Sequence, residues 1–380
     1  MLPLSLYIHL PWCVKKCPYC DFNSFTASPD APRSRYLDAV IEDLKRQSTD
    51  VADRPLHTVF IGGGTPSFFS PEEIGSLLAA VRRNYRLEPD IEITMEANPS
   101  SVESGDPAGY RDAGVNRLSI GAQSFNDGHL KTLGRLHDVA DIERSFRDAR
   151  SAGFDNINVD VMYALPNQAL DEAMSDLDAA FALEPDHISW YQLTLEPNTV
   201  FYARPPEGLP DDDAMWEFQC EGQARLSAAG FQQYEVSAYA QPGRECRHNL
   251  NYWRFGDYLA VGAGAHGKLS IDGEPYRYSR PANPTAYILG VEDSAGLDRR
   301  VIAETDRLFE FALMALRLVD GFSAEEFESA LGLPRQRLID ALRSPLQSGL
   351  VEQAAHDRWR PTELGRRFLN DLQSGFLPGD

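Results

Sequence analysis

No apolar run in this 380-residue chain approaches the ~20 residues that a membrane-spanning helix requires, so an integral membrane protein is not expected. The opening, MLPLSLYIHLPW, has neither a positive n-region nor a small-residue cleavage site, and a cytoplasmic location is expected. Positive charge is scarce: 36 Lys and Arg face 57 Asp and Glu, a net charge of −21. A surface of that sign repels phosphate backbones, which argues against sequence-independent nucleic-acid binding. Cysteines are few and odd in number, five in all, and three of them crowd one short segment. A disulfide framework is not expected; metal or redox chemistry is. Internal repeats and low-complexity segments are absent from the sequence.

What is present is 43% apolar residues, enough for a sizeable core. The length suits one large domain plus a smaller one. Six apolar, β-branched runs read as strands: SLYIHL, TVFIGGG, EITMEAN, RLSIGAQS, NINVDVMYAL and ISWYQLTL. Between them lie amphipathic stretches such as YLDAVIEDLKRQ and PEEIGSLLAAVRRNY, the second with Ser70 as its N-cap. Repeated strand–helix units predict a parallel sheet with right-handed crossovers. Six units are too few for a closed eight-unit barrel, so the expected fold is α/β with a partial (β/α)6-type barrel over residues 1–235. Residues 196–215 read as a loop. Residues 236–300 read as a connecting region, and 301–380 as a mainly helical, winged-helix-like domain.

The segment PWCVKKCPYC places Cys13, Cys17 and Cys20 on one loop after the first strand. Thiolates suit zinc or iron–sulfur clusters. Zinc needs a fourth ligand, such as His9 or His248, and no second cysteine half-site exists. A [4Fe–4S] cluster on three thiolates leaves one iron open to a small molecule. Other unusual residues also sit where strands end: GGGTPS (62–67), Glu96, Gln123, Arg135 and Asp160. In α/β barrels that edge carries the active site. The glycines make either a tight turn or a close backbone approach to a ligand. Glu96 makes either a salt bridge or hydrogen bonds to ribose hydroxyls. Gln123, Arg135 and Asp160 are either satisfied locally or face the same mouth.

The three-cysteine loop after the first barrel strand resembles the radical S-adenosylmethionine (SAM) superfamily. There the amino and carboxylate groups of SAM complete the open iron. YIHLPWCVKKCPYCDFNSF, GGGTPS, MEANPSS, RLSIGAQSFND, LGRLH, YQLTLEPNT and CRHNLNYW narrow the resemblance to one branch. That branch holds the oxygen-independent coproporphyrinogen III dehydrogenases and the HemW-type haem chaperones. The resemblance spans nearly the whole chain. It implies that Cys13, Cys17 and Cys20 hold the cluster and that Tyr7, Gly63 and Glu96 contact the cluster-bound SAM. Tyr19, Gly64, Thr65, Gln123, Arg135 and Asp160 match positions that contact a second SAM in the dehydrogenases.

Three features favour the chaperone side. Phe22 stands where the dehydrogenases carry a further cysteine. Only a short strand precedes Cys13, where they have a long extension. The motif H-N-x-x-Y-W, here His248, Asn249, Tyr252 and Trp253, marks the chaperones. A haem site wants an imidazole for iron and aromatic surface for the macrocycle. His248 with Tyr252 and Trp253 offers both, although a His–Asn pair beside aromatics also reads as a structural corner. Cys246 and His266 are alternative ligands. The resemblance implies a chaperone that passes haem to apo haemoproteins of the respiratory chain, with dimerisation as one way the cluster and SAM organise transfer. The alternative is coproporphyrinogen III dehydrogenation.

Overall fold

The structure, a computed structural model, describes residues 2–51, 54–100, 105–294 and 296–378; Ser101 of the MEANPSS segment lies outside them. Its centre is six parallel strands: β1 (Leu4–Leu10), β2 (Leu56–Gly63), β3 (Leu87–Ala97), β4 (Arg117–Gln123), β5 (Ile157–Tyr163) and β6 (His187–Gln192). Each pairs with the next in chain order. A sheet that grows in one direction winds as a barrel does, whereas a doubly wound sheet reverses. Among the described residues the two outer edges do not pair with each other, so the barrel stays open. The six strands are those read from the sequence.

The connecting helices include α1 (Arg33–Val51), α2 (Pro71–Asn84), α3 (Pro107–Ala113), α4 (Val139–Ser151) and α5 (Leu170–Ala182). Ser70 caps α2 as expected. The Glu73 amide donates to Ser70 Oγ, and the Ser70 amide donates to Glu73 Oε2, a reciprocal capping box. Successive strand residues face opposite ways. Leu6, Ile8, Val59, Ile61, Ile93, Met95, Ile120 and Val159 join the core under the helices. Their neighbours in alternation are polar or aromatic and face inward: Tyr7, Phe60, Glu96, Ser119, Asp160 and Ser189 line a central cavity. The barrel interior is thus a binding space with many polar side chains in its wall.

The sheet extends beyond those six strands to twelve. On one edge, β8 (Ala238–Ala240) runs antiparallel against β6, and β7 (Gln232–Glu235) pairs antiparallel with β8 on its outer side. On the other, β9 (Asp257–Val261) runs parallel to β1, followed by antiparallel β10 (His266–Ile271), β11 (Glu274–Ser279) and β12 (Arg299–Val301). The sequence reading assigned no strand here, because such short segments give no clear two-residue period. The expected loop at 196–215 also carries structure. It holds the one-turn helix Val200–Ala203, and α6 (Asp212–Ala228) starts upstream of Trp216 because the Asp211 side chain caps it.

The C-terminal part has its own core, with Phe311, Phe322, Phe327, Leu338, Leu342 and Trp359 at its centre. Around it pack α8 (Glu304–Ala315), α9 (Ala324–Leu331) and α10 (Arg335–Gln347), with α7 (Arg247–Trp253) lying between it and the barrel. A three-stranded sheet orders Phe322–Ser323, Arg358–Pro361 and Val351–Ala355, so the last two strands form a wing after the helices. Arg317 reaches back 3.0 Å to the buried carboxylate of Glu235 on β7, tying this unit to the barrel edge.

Candidate functional site

The cysteine loop leaves β1 and is pinned at both ends. Trp12–Cys13 pairs in parallel with Phe25–Thr26. The Phe25 amide donates to the Pro11 carbonyl and the Ala27 amide to the Cys13 carbonyl. Lys16 Nζ donates to the carbonyls of Phe22 and Ser24, closing the loop from within. Cys13 is buried, Cys17 and Cys20 are half-buried, and none is in a disulfide. All three line the central cavity, which measures about 660 Å³. Among the described residues, no three His, Cys, Asp or Glu side chains converge on a point that could hold one metal ion. Ligands of a cluster attach to different irons and need no common point, so three spaced thiols beside an open cavity fit a [4Fe–4S] cluster. Arg135 Nη1 lies 3.7 Å from Cys17 Sγ, which brings a positive charge to the edge of the cysteine loop.

The GGGTPS segment packs backbone against backbone. The Gly64 amide donates to the Leu10 carbonyl at 2.7 Å, and the Thr65 amide to the Trp12 carbonyl at 2.9 Å. A Cβ on Gly64 would sit 2.7 Å from the Trp12 carbonyl oxygen, and one on Gly63 (φ +119°) 2.5 Å from the His9 ring. The glycines therefore hold the cysteine loop against the end of β2. Two of the amides available to a ligand are already used. The third, on Gly63, donates to Glu96 Oε2 at 3.0 Å.

Glu96, near the end of β3, is the most perturbed carboxylate lining the cavity. Burial, with a smaller contribution from the charge of Asp160, pushes its pKa up to about 8. Its neighbour Tyr7 donates to, or accepts from, His9 Nδ1 at 2.9 Å. Gln123 ends β4 with φ +71°, a left-handed conformation that side chains other than glycine adopt at a cost of about 1–3 kcal/mol. The Tyr191 hydroxyl donates to its Oε1 at 2.7 Å. Arg135 Nη2 donates to the Gly121 carbonyl at 2.9 Å, while its buried Nε has no partner. Asp160 accepts from Asn158 Nδ2 and Ser119 Oγ, yet burial still raises its pKa. Tyr19 packs with Leu133, Met162, Leu193 and Phe201 beside the loop. Thus Tyr7, Tyr19, Gly64, Thr65, Glu96, Gln123, Arg135 and Asp160 all line one cavity with the three cysteines, and Gly63 borders a neighbouring cleft.

His248 sits at the start of α7, fully buried. The Thr58 hydroxyl donates to Ser5 Oγ, so it accepts from His248 Nδ1 at 2.7 Å. Nε2 is then the acceptor for the Tyr252 hydroxyl at 2.8 Å. Burial, helped by the charge of Arg117, lowers the pKa to about 3, so the ring is neutral with both nitrogens engaged. Cys246 is buried beside Glu92, its thiol pushed up to about 12 chiefly by desolvation. His266 is exposed.

The sequence reading missed much of the cavity wall. Arg117, Ser119, Asn158, His187, Ser189 and Tyr191 all face the interior. Their signal was alternation: within RLSIGAQ, NVDVM and HISWY, polar and bulky residues recur at every second position. Arg117 is buried with its Nε unpartnered. His187 is satisfied on both ring nitrogens by Asn158 and Tyr234.

Comparison with known proteins identifies the family. A model of the radical SAM superfamily matches residues 7–180, which hold the cysteine loop and the first five strands, and a model of the HemN C-terminal domain matches 302–368. The chain is a radical SAM protein. It is 47% identical to heme chaperone HemW of Haemophilus influenzae, covering 99% of this chain and 98% of that one. It is 46% identical to the protein of that name from Escherichia coli and 32% to that of Bacillus subtilis, again nearly end to end. The chain belongs to the HemW heme chaperone family. Coproporphyrinogen III oxidase (HemN) of Escherichia coli shares the fold, with a TM-score of 0.82 over 99% of this chain and 90% of that one, at 24% identity.

Proposed function

We propose that this chain is a haem chaperone, which binds haem and passes it to apo haemoproteins of the respiratory chain. The observation that carries the reading is end-to-end similarity to heme chaperones in a chain whose three thiols share one open cavity. In this reading Cys13, Cys17 and Cys20 hold a [4Fe–4S] cluster. Tyr7, Gly63 and Glu96 hold SAM, and Tyr19, Gly64, Thr65, Gln123, Arg135 and Asp160 extend that pocket. Bound there, the cluster would present one iron without a protein ligand, where the amino and carboxylate groups of SAM attach. The chain's own residues supply the rest. Glu96 accepts hydrogen bonds from hydroxyls, and Arg135 offers a positive charge to sulfur and carboxylate. His248 is the haem residue that the H-N-x-x-Y-W motif points to, and its Nε2 accepts from the Tyr252 hydroxyl beside Trp253. The barrel spans 1–235, the H-N-x-x-Y-W region 236–300 and the helical domain 301–380, and the chain works as a homodimer in the cytoplasm.

The test is anaerobic reconstitution, haem titration by Soret absorbance, and transfer to an apo b-type cytochrome. Wild type should bind haem near-stoichiometrically and donate it. Replacing the three cysteines with alanine should remove the brown cluster absorbance and abolish donation. Conversion of coproporphyrinogen III without saturable haem binding would establish the dehydrogenase alternative instead.

A further inference from the structure

A second cavity of about 400 Å³ adjoins the first. It lies between β10 and β11 on one side, α7 on another, and α8 of the C-terminal unit. Tyr252 and Trp253 of the H-N-x-x-Y-W motif face both cavities, as does Phe22, which is 55% exposed at the rim. Tyr258 and Phe255 continue an aromatic wall, and Met314 of α8 adds a soft thioether. This is a lining for a flat, apolar ligand.

Two polar groups on that wall lack full occupation. His266, the first residue of β10, is exposed at the cleft, and no residue bonds to its ring among the described residues. The other imidazoles near the two cavities, His9, His187 and His248, are engaged at both nitrogens. Arg277 spends Nε on Glu310 and Nη1 on the Tyr258 hydroxyl, and its Nη2 has no partner. A guanidinium carries five donors, so one side remains for a carboxylate. An aromatic slot, an unbonded imidazole and a guanidinium with spare donors together match an iron porphyrin: macrocycle, metal and propionate.

We propose that this cleft is the haem seat, with His266 as the side chain that reaches iron and Arg277 as the partner of a propionate. The assignment rests on the chaperone reading above and gives it a location. The seat shares the Tyr252–Trp253 wall with the SAM cavity. It also gives the C-terminal unit a role, since Met314 closes one side.

The experiment titrates anaerobically reconstituted protein with ferric haem and follows Soret absorbance and the axial-ligand signature by electron paramagnetic resonance. Wild type, His266→Ala, Met314→Trp (which fills the cleft) and His248→Ala are compared, with cluster absorbance as the control for folding. His266→Ala should weaken binding at least tenfold and change the ligand signature, and added imidazole should restore it. Met314→Trp should weaken binding with the cluster intact. His248→Ala, which removes the support of the Tyr252 hydroxyl, should weaken binding yet keep the imidazole ligand signature. Wild-type spectra in both His266→Ala and Met314→Trp, or loss of the imidazole signature in His248→Ala alone, would overturn the seat and leave the chaperone reading standing. Absence of saturable binding in wild type would overturn both.

Discussion

Glu96→Gln separates what the cavity does for stability from what it does for binding. In the cluster-free, SAM-free protein Glu96 has a pKa near 8 against a usual value near 4.5, caused mainly by burial. A raised carboxylate pKa means that the folded state holds its proton longer than the unfolded state. The stability from protonated Glu96 is therefore full below about pH 4.5 and is lost progressively as pH rises toward 8. The gap corresponds to roughly 5 kcal/mol at its limit, and to roughly 3 kcal/mol at pH 7. Glutamine is neutral throughout and can still accept from the Gly63 amide, which now donates to Glu96 Oε2 at 3.0 Å. Urea denaturation of the apo protein should show wild type and variant nearly equal at pH 5, with the variant more stable by several kcal/mol at pH 8. SAM affinity should move the other way. A carboxylate accepting from ribose hydroxyls contributes about 1.5–3 kcal/mol, so the variant should bind SAM roughly 10–100-fold more weakly. A stability difference that does not change with pH would refute the assignment of the shift to Glu96. Unchanged SAM affinity would refute its role as a contact.

Gly64→Ala should destabilise the fold by about 1–3 kcal/mol and lower cluster loading, read by urea denaturation and iron content. Its Cβ would meet the Trp12 carbonyl next to Cys13, and neither backbone can yield without moving the loop. Ser70→Ala should cost about 1 kcal/mol in the same denaturation assay and leave cluster absorbance untouched, because it removes only the capping box of α2.

The elements legible in the sequence were those whose signal is local. A buried strand shows as a short, β-branched-rich run, and SLYIHL and NINVDVMY carry their apolar residues at every second position. The α2 cap shows as Ser70 followed by Pro71 and Glu73, and the cluster loop as three cysteines. What stayed hidden depends on partners far along the chain. Ser119 and Asn158 are ordinary residues until the register sets them side by side on β4 and β5. The identity of His248 drew attention, but its state is set by Thr58 on β2 and by its depth. The pKa of Glu96 follows from burial, which has no sequence signature. The strands β7 and β11 were missed because they read as irregular polar segments and β8 because it is three residues long, and the sheet continues through them all the same.

The polar interior sorts into two groups by how fully each member is bonded, and that division says where ligands belong. Burying a polar group is costly unless it is paired. Asn158, Ser119, Asp160, His187 and Tyr234 answer this among themselves in one continuous network, from Asp160 through Asn158 to His187 and on to the Tyr234 hydroxyl. These residues shape the wall. Glu96, Arg135 and Arg117 do not reach the same state. Glu96 is driven toward its neutral form, and the Nε atoms of Arg117 and Arg135 have no partner. A carboxylate and two guanidiniums, buried, incompletely bonded and facing one space with three thiols, leave that space chemically incomplete. A ligand with both hydroxyls and a carboxylate would complete it, and SAM, the ligand we propose for this cavity, carries both.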